Sequence, residues 1–391
     1  MGGVGNNSHR GCFFGVASLA MVALVACRAA KTDPAANGNE HLELSELLGQ
    51  GAMDSGFERA SGRRRFSFPE DHGPHPSFRT EWWYLTGNLL DGNERRFGYQ
   101  LTIFRSALSP RTAEARASRW AATDVYMGNF ALTDVDQGRF YAFDRFERAA
   151  IGLAGASAVP FHVWIDNWSI ASTGAEAFPA RIEAQQGALR LELLVRQGTP
   201  PVLQGDHGLS QKGPGVGDAS YYYSLPRMPT EGSVWIGDRA YHVEGLSWMD
   251  REWGTNSLGR NQVGWDWFAL QLSDGRELMY YQLRQADGQP DAFSSGALIQ
   301  PDGSWSVLTR DQVELEVLSR WRSSKDGRSY PSGWKLRVPS AQWALEIRPY
   351  LRDQELDLAV RYWEGAVGVT GNTGPKTVSG SGYAELTGYR Q

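Results

Sequence analysis

The segment at residues 264–284, GWDWFALQLSDGRELMYYQLR, recurs in weaker form at residues 80–104, TEWWYLTGNLLDGNERRFGYQLTIF, and this repetition constrains the fold more than any other feature. Trp83-Tyr84, Asp91-Gly92, Glu94 and Gln100-Leu101 match Trp267-Phe268, Asp274-Gly275, Glu277 and Gln282-Leu283, with one-residue adjustments inside the strands. Both copies read as β-hairpins: an aromatic and aliphatic strand, an Asp-Gly turn supplying positive φ, and an alternating second strand. A hairpin that occurs twice implies a domain that occurs twice. Two antiparallel domains of ~150 residues each would use most of the 391 residues.

The N-terminus sets the compartment. His9-Arg10 precede an apolar run over residues 13–25, which is short for a membrane span and about right for a signal-peptide core. It ends in Leu24-Val25-Ala26-Cys27, small residues before a cysteine, the pattern of a bacterial lipobox. Cys27 is therefore expected to become the acylated first residue of a mature protein attached to the cell envelope and facing the periplasm, with inner and outer membrane both left open. The other cysteine, Cys12, falls in the removed segment, so the mature chain has no disulfide and must rely on its core. Residues 28–65 read as a tether, with Leu44, Leu47 and Leu48 as one docking turn and Arg63-Arg64-Arg65 as a solvated basic run. A net charge of −5, without zinc-knuckle or phosphate-loop motifs, gives no reason to expect nucleic acid.

From Phe66 onward the chain is strand-like and rich in turns, with 45 Gly and 18 Pro. Residues 163–170, 188–195, 233–243, 313–321, 333–338 and 356–363 alternate or are β-branched between turn residues, which favours sandwiches or barrels. The Gly-rich stretch at residues 203–228 is the expected boundary, giving domains 66–225 and 226–391. The fold class is all-β.

Five segments carry a family resemblance: DHGPHPSFRTEWWYLTGNL, GLSWMDREWGTN, GWDWFALQL, YWEGAV and GYAELTGY. In this order they resemble the CrtC/AttH family, and the likeness covers nearly all of the mature chain. The resemblance implies two tandem lipocalin-like antiparallel β-barrel domains. That family includes carotenoid 1,2-hydratases and secreted lipoproteins described as predicted hydrolases, and the chain is most similar to the lipoprotein branch. What that implies is carriage of an apolar isoprenoid, polyene or lipid molecule, with an ABC exporter permease as partner, or water addition to an isolated double bond.

Hydrating an unactivated alkene needs an acid strong enough to protonate carbon, surroundings that tolerate a cation, and a placed water. A carboxyl buried among aromatic rings meets the first need, and the ring faces meet the second. Asp266, between Trp265 and Trp267, is the leading candidate for the acid. Asp250 and Glu252 follow, since on a strand they share one face while Arg251 takes the other with Met249 and Trp253. Tyr280 or Tyr281 could hydrogen-bond the water. Trp82, Trp83, Trp248, Trp253, Trp265 and Trp267 are candidate pocket walls. Equally, a carboxylate between tryptophans can be the buried partner of an arginine, for which Arg251 and Arg260 are the candidates.

His72, His75 and Glu81 offer metal-ligand atoms, but Gly73, Pro74 and Pro76 make this a rigid loop without a second ligand pair, and neither metal nor cofactor is expected. Arg79 and Glu81 would share a strand face as a structural pair. The Gly-x-Ser-x-Gly nucleophile elbow is absent, which argues against serine hydrolysis. Two classes of function remain, an anchored carrier of an apolar molecule and a hydro-lyase.

Overall fold

A computed structural model describes residues 42–43, 56–110, 121–255, 258–259 and 261–389. The signal segment, Cys27 and Leu44–Leu48 lie outside them. Among the described residues no helix is long and apolar enough to cross a membrane.

The first sheet runs through β1 (Thr80–Asp91), β2 (Arg96–Ala107), β3 (Asp124–Asp134), β4 (Arg139–Arg148), β5 (Ala154–Ser157), β6 (His162–Ile165), β7 (Trp168–Ser172), β8 (Ala180–Gln186), β9 (Leu189–Val195), β10 (Ala219–Ile236) and β11 (Arg239–Gly254). Each pairs with the next in antiparallel fashion except β4 with β5, and β1 returns to pair with β11. The second sheet repeats the plan with β12 (Gln262–Leu272), β13 (Glu277–Gln285), β14 (Ser295–Ile299), β15 (Trp305–Thr309), β16 (Glu314–Val317), β17 (Trp334–Val338), β18 (Trp343–Pro349), β19 (Val360–Thr373) and β20 (Lys376–Leu386). Here β12 pairs with β20, and the break again follows the fourth strand. Two meanders with the first strand on the last, interrupted at the same place, make the duplication visible in the topology. In the first barrel Arg145 of β4 spans the break, donating to the Gln185 carbonyl at 2.9 Å and lying 4.2 Å from the Trp168 ring centre.

Both repeated hairpins form, β1–β2 and β12–β13. Their turns differ in detail. Gly275 has φ +86°, as an Asp-Gly turn requires, whereas in the first hairpin Glu94 takes the positive angle (φ +63°). The Asp91 carboxylate supports that turn by accepting from the Asn93 and Arg95 backbone N–H groups at 2.8 and 2.9 Å.

The domain boundary lies elsewhere than the Gly-rich stretch. Strands β10 and β11 belong to the first sheet, so the chain changes barrel between Gly254 and Gln262 rather than at 225/226. Pro226 and Arg227 (φ +48°) sit in a bulge that shifts the β10–β11 register between Leu225 and Met228. A bulged strand and a linker carry the same turn residues, and pairing alone tells them apart. From this bulge Arg227 reaches the second barrel, donating to the Leu272 carbonyl at 2.9 Å and pairing with Glu277 at 2.6 Å.

The end of the expected tether is docked on the first barrel. Arg63 pairs with Asp206 and Arg64 with Asp71, both at 2.6 Å. The Arg64 guanidinium also lies 5.4 to 5.5 Å from the Phe66, Tyr221 and Trp253 rings. Leu42–Glu43 pair in parallel with Val360–Arg361.

Strand alternation divides the aromatic residues between two environments. Trp83, Leu85, Leu101, Met249 and Trp253 point into the first barrel, and Phe268, Leu270, Trp334 and Trp363 into the second. Tyr84, Trp248, Trp267 and Tyr383 point out of the barrels and form a third cluster where the two meet. There the Asn88 side-chain amide donates to the Gly382 carbonyl at 2.9 Å, and Asn129 to the Tyr362 hydroxyl at 2.8 Å. Gly98 has no φ constraint, but a Cβ at this position would lie 2.5 Å from Ala366 Cβ, so glycine is what allows β2 to approach β19.

Candidate active site between the barrels

Two cross-strand rows face each other across the junction. On the first barrel Tyr222, Glu252, Trp82 and Phe104 stand side by side on β10, β11, β1 and β2. On the second, Tyr281, Trp267, Glu385 and Glu364 do the same on β13, β12, β20 and β19. Residues opposite one another in antiparallel strands project from one face, so each row is a continuous wall. Between them lies a cleft of about 60 Å³, lined also by Tyr84, Lys212, Asp250, Trp265 and Leu283.

Asp250 is held rigidly. Its Oδ1 accepts from the Ser224 hydroxyl at 2.5 Å and from the Trp248 indole N–H at 2.7 Å, while Oδ2 accepts from Tyr222, whose hydroxyl in turn accepts from Trp267 Nε1 at 3.1 Å. Burial pushes the Asp250 carboxyl up to about 7 against these three hydrogen bonds, and the charge of Glu252 adds to the rise. Glu252 accepts from Ser220 and pairs with Lys212 at 3.3 Å. Burial works against the Lys212 ammonium, yet Glu252 and Tyr281 hold its pKa above the ordinary lysine value. That ammonium rests 3.9 Å from the Tyr281 ring centre, and the Tyr281 hydroxyl lies 2.9 Å from Ser210 Oγ. The cleft thus combines aromatic walls, a carboxyl that titrates near neutrality and a lysine–glutamate pair, the constituents of proton transfer to an apolar substrate.

The candidates named from the sequence separate accordingly. Asp250, Glu252, Tyr281, Trp82, Trp265 and Trp267 line the cleft, and Trp248 holds Asp250 from beside it. Trp83 and Trp253 do not reach the cleft; they pack inside the first barrel, where Trp83 donates to the His72 carbonyl at 2.8 Å. Asp266 is also elsewhere. The alternation that sends Trp265 and Trp267 into the cleft turns Asp266 toward the interior of the second barrel, where Arg284 donates to it at 3.0 Å and Tyr389 at 2.9 Å. Its role is the structural arginine partnership left open above, with Arg284 in place of Arg251 or Arg260. Tyr280 likewise faces the second core.

The histidine loop is engaged in packing and ion pairs. His75 stacks on Trp253 with ring centres 3.7 Å apart, and its Nε2 lies 3.0 Å from Asp71. Glu81 pairs with Arg105 and Arg251 rather than with Arg79. Burial of His72, helped by the charge of Arg251, pulls its pKa down to about 4.

Tyr84, Phe104, Lys212, Tyr222, Leu283 and Glu385 were not singled out by sequence reasoning. Tyr222 and Phe104 were within its reach once β10 and β2 were paired with their neighbours. Lys212 carried no local signal, and Glu385 stood only within the segment GYAELTGY without a chemical cue of its own.

A family model for AttH-like proteins matches residues 59–389. The chain belongs to the AttH-like family. A crystal structure of a candidate AttH from Nitrosomonas europaea shares 32% identity with this AttH-like chain, covers 84% of it and 98% of its own length, and superposes with a TM-score of 0.75. Kievitone hydratase from Nectria haematococca is similar in fold, at 17% identity and a TM-score of 0.64, with 86% and 98% of the two chains covered. No functionally curated protein matches the chain.

Proposed function

We propose that this AttH-like protein binds a small, largely apolar, unsaturated molecule in the cleft between its barrels. The supporting observation is that seven of the twelve lining residues are aromatic, while the barrel interiors are filled by their own cores. A volume of about 60 Å³ is on the scale of a few water molecules, so the cleft receives one end of an isoprenoid or polyene rather than a whole chain. A second reading, water addition to a double bond, is favoured by Asp250: a carboxyl near its titration point among aromatic rings can protonate carbon, and Glu252 beside it can hold the water.

The test is native mass spectrometry with lipid extraction on the full chain from its own host, beside Trp267→Ala and Asp250→Asn, together with calorimetric titration of geraniol. Wild type is expected to carry an apolar molecule and to bind geraniol, and Trp267→Ala to lose both. A ligand on Asp250→Asn lighter by one water than that on wild type supports hydration; the same ligand on both supports carriage. An empty wild-type protein that ignores geraniol rejects the site.

Attachment to the cell envelope through a lipid on Cys27, a periplasm-facing position and ligand exchange with an ABC exporter permease belong to the same proposal and are supported by the sequence. Cys27→Ser is expected to leave soluble or unprocessed protein. Mature, lipid-free Cys27→Ser protein that still fractionates with membranes rules out the anchor.

A further inference from the structure

Several buried carboxylates among the described residues have cationic partners. Glu81 has Arg105 and Arg251, Asp266 has Arg284, Glu277 has Arg227, and Glu355 has Arg361. Glu364 and Glu385 have none among the described residues, although they are direct cross-strand partners on β19 and β20 and project from the same face. Glu364 is 1% exposed and Glu385 8% exposed. No hydrogen bond of good geometry reaches either Glu364 oxygen, Glu385 Oε1 or the neighbouring Tyr84 hydroxyl, although the Tyr84 and Tyr362 hydroxyls lie close enough to Glu364, and the Trp265 indole to Glu385, to favour their ionised forms. Two adjacent carboxyls with idle oxygens in an apolar setting form an arrangement that folding alone does not favour. Burial accordingly drives both toward the protonated form, the charge of Glu364 raises Glu385 further, and the Tyr84 and Tyr362 hydroxyls act in the opposite direction on Glu364.

Glu385 and Tyr84 line the cleft, so the idle oxygens border the space where a ligand would sit. Trp267 stands beside Glu385 on the same wall, and Trp265 and Trp82 line the same cleft; the faces of these indoles attract positive charge. The cleft already shows that chemistry on its other side, where the Lys212 ammonium lies over the Tyr281 ring and beside Glu252. Lys212 is matched by Glu252, leaving Asp250, Glu385 and Glu364 as uncompensated acidic groups around the same space.

We infer that the Glu385 side of the cleft is a subsite for an alkyl-substituted cationic centre, with the Glu385–Glu364 carboxyl pair as its countercharge, formed by release of a proton to solvent as the cation enters, and the tryptophan faces as its wall. The inference rests on reading the inter-barrel cleft as the ligand site, and it adds the charge of what enters: a tertiary or quaternary ammonium on an apolar body, or the carbocation formed when an alkene is protonated. Both are compact positive centres clothed in methyl groups, and the subsite does not distinguish them.

Tetramethylammonium and its uncharged counterpart of similar size, tert-butanol, are the probes. Each is titrated by calorimetry into the full chain, Glu385→Gln and the double variant Glu364→Gln/Glu385→Gln. Tetramethylammonium is expected to bind wild type at least about tenfold more tightly than tert-butanol does, to weaken by about tenfold or more in Glu385→Gln, and to be undetectable in the double variant. The variants replace idle buried carboxyls with neutral amides, and thermal melting at or above the wild-type temperature confirms that they fold. Equal binding of the two probes, no binding of the cation, or undiminished cation binding by the double variant overturns the inference. Geraniol separates the levels. Geraniol binding without cation binding leaves the apolar site standing and removes the cationic subsite, whereas loss of both removes the cleft as a ligand site. If the cation binds and the alkene is hydrated, the subsite serves the carbocation; if the cation binds and no water is added, it serves a charged ligand.

Discussion

Glu81→Ala is expected to lower folding stability by about 3–5 kcal/mol at neutral pH, the largest effect of any single substitution argued from this structure. Glu81 is fully buried between Arg105 and Arg251, themselves 1% and 0% exposed. Arg105 also binds Asp124 at 2.6 Å and the carbonyls of His75 and Phe78 at 3.0 and 2.9 Å. Arg251 donates to the Gly73 carbonyl at 2.6 Å and lies 3.9 Å from the Trp83 ring centre. Removing the shared carboxylate leaves two guanidiniums in the barrel interior, with Asp124 and a few carbonyls as compensation. Burial would raise the Glu81 pKa, but Arg251 and Arg105 outweigh it and hold the group well below the ordinary carboxylate range. Because the folded-state pKa is depressed, the stabilisation is present above the unfolded value of about 4.5 and fades as pH falls below it. Urea denaturation at pH 7 and pH 3 checks both parts: a large wild-type advantage at pH 7 that narrows in acid. A variant as stable as wild type at pH 7 contradicts the account.

Asp250→Asn is expected to do the reverse. The carboxyl rises from the ordinary 3.8 to about 7 in the fold, chiefly through burial. A raised folded-state pKa means the native state keeps a proton that the unfolded chain releases, so stability is lost as pH climbs from about 4 and the loss is complete above about 7. A rise of about three units corresponds to on the order of 4 kcal/mol. Asparagine has no such titration. The variant should match wild type near pH 4 and exceed it by up to that amount at pH 8, measured as the difference between two urea curves at each pH. Glu364 and Glu277 titrate in both proteins with the same direction of shift, whereas Glu385, raised in part by the Asp250 charge, ionises more readily in the variant and adds to its advantage at pH 8. A variant weaker than wild type at pH 8 would mean that the ionised carboxylate, held by Ser224, Tyr222 and Trp248, contributes more than its burial costs. A group that weakens the fold at working pH and yet sits in the cleft is what the acid role proposed for Asp250 requires.

The sequence pointed to Asp266 because two tryptophans flank it, whereas in the structure Asp250 lines the cleft and Asp266 does not. Both outcomes follow from one rule. Neighbours in a strand project to opposite faces, so Trp265 and Trp267 wall a cleft that Asp266 cannot see, whereas Trp248 and Asp250, two residues apart, share one. The repeated hairpins show the same effect: Trp83 matches Trp267 by sequence, yet one points into its barrel and the other out of it, since a one-residue slip exchanges faces. The boundary misplaced at 225/226 has a similar origin, because glycine and proline mark a bulge inside β10 as readily as a linker.

The sequence by itself determined that the chain is all-β, that it contains two related units opened by the same hairpin, and that Asp250 and Glu252 share a face apart from Arg251. These are local properties, set by turn sterics and by the two-residue period of extended backbone. Tertiary structure alone decided which faces meet. Glu364 and Glu385 lie in separate motifs and become neighbours through the β19–β20 register; Glu385 then reaches Trp267 through the pairing of β20 with β12. Lys212 enters the cleft beside Glu252 from the loop after residues 209–211, which pair with β10. Such contacts depend on ring closure of each meander and on the docking of one barrel against the other, and neither leaves a mark in the spacing of residues along the chain.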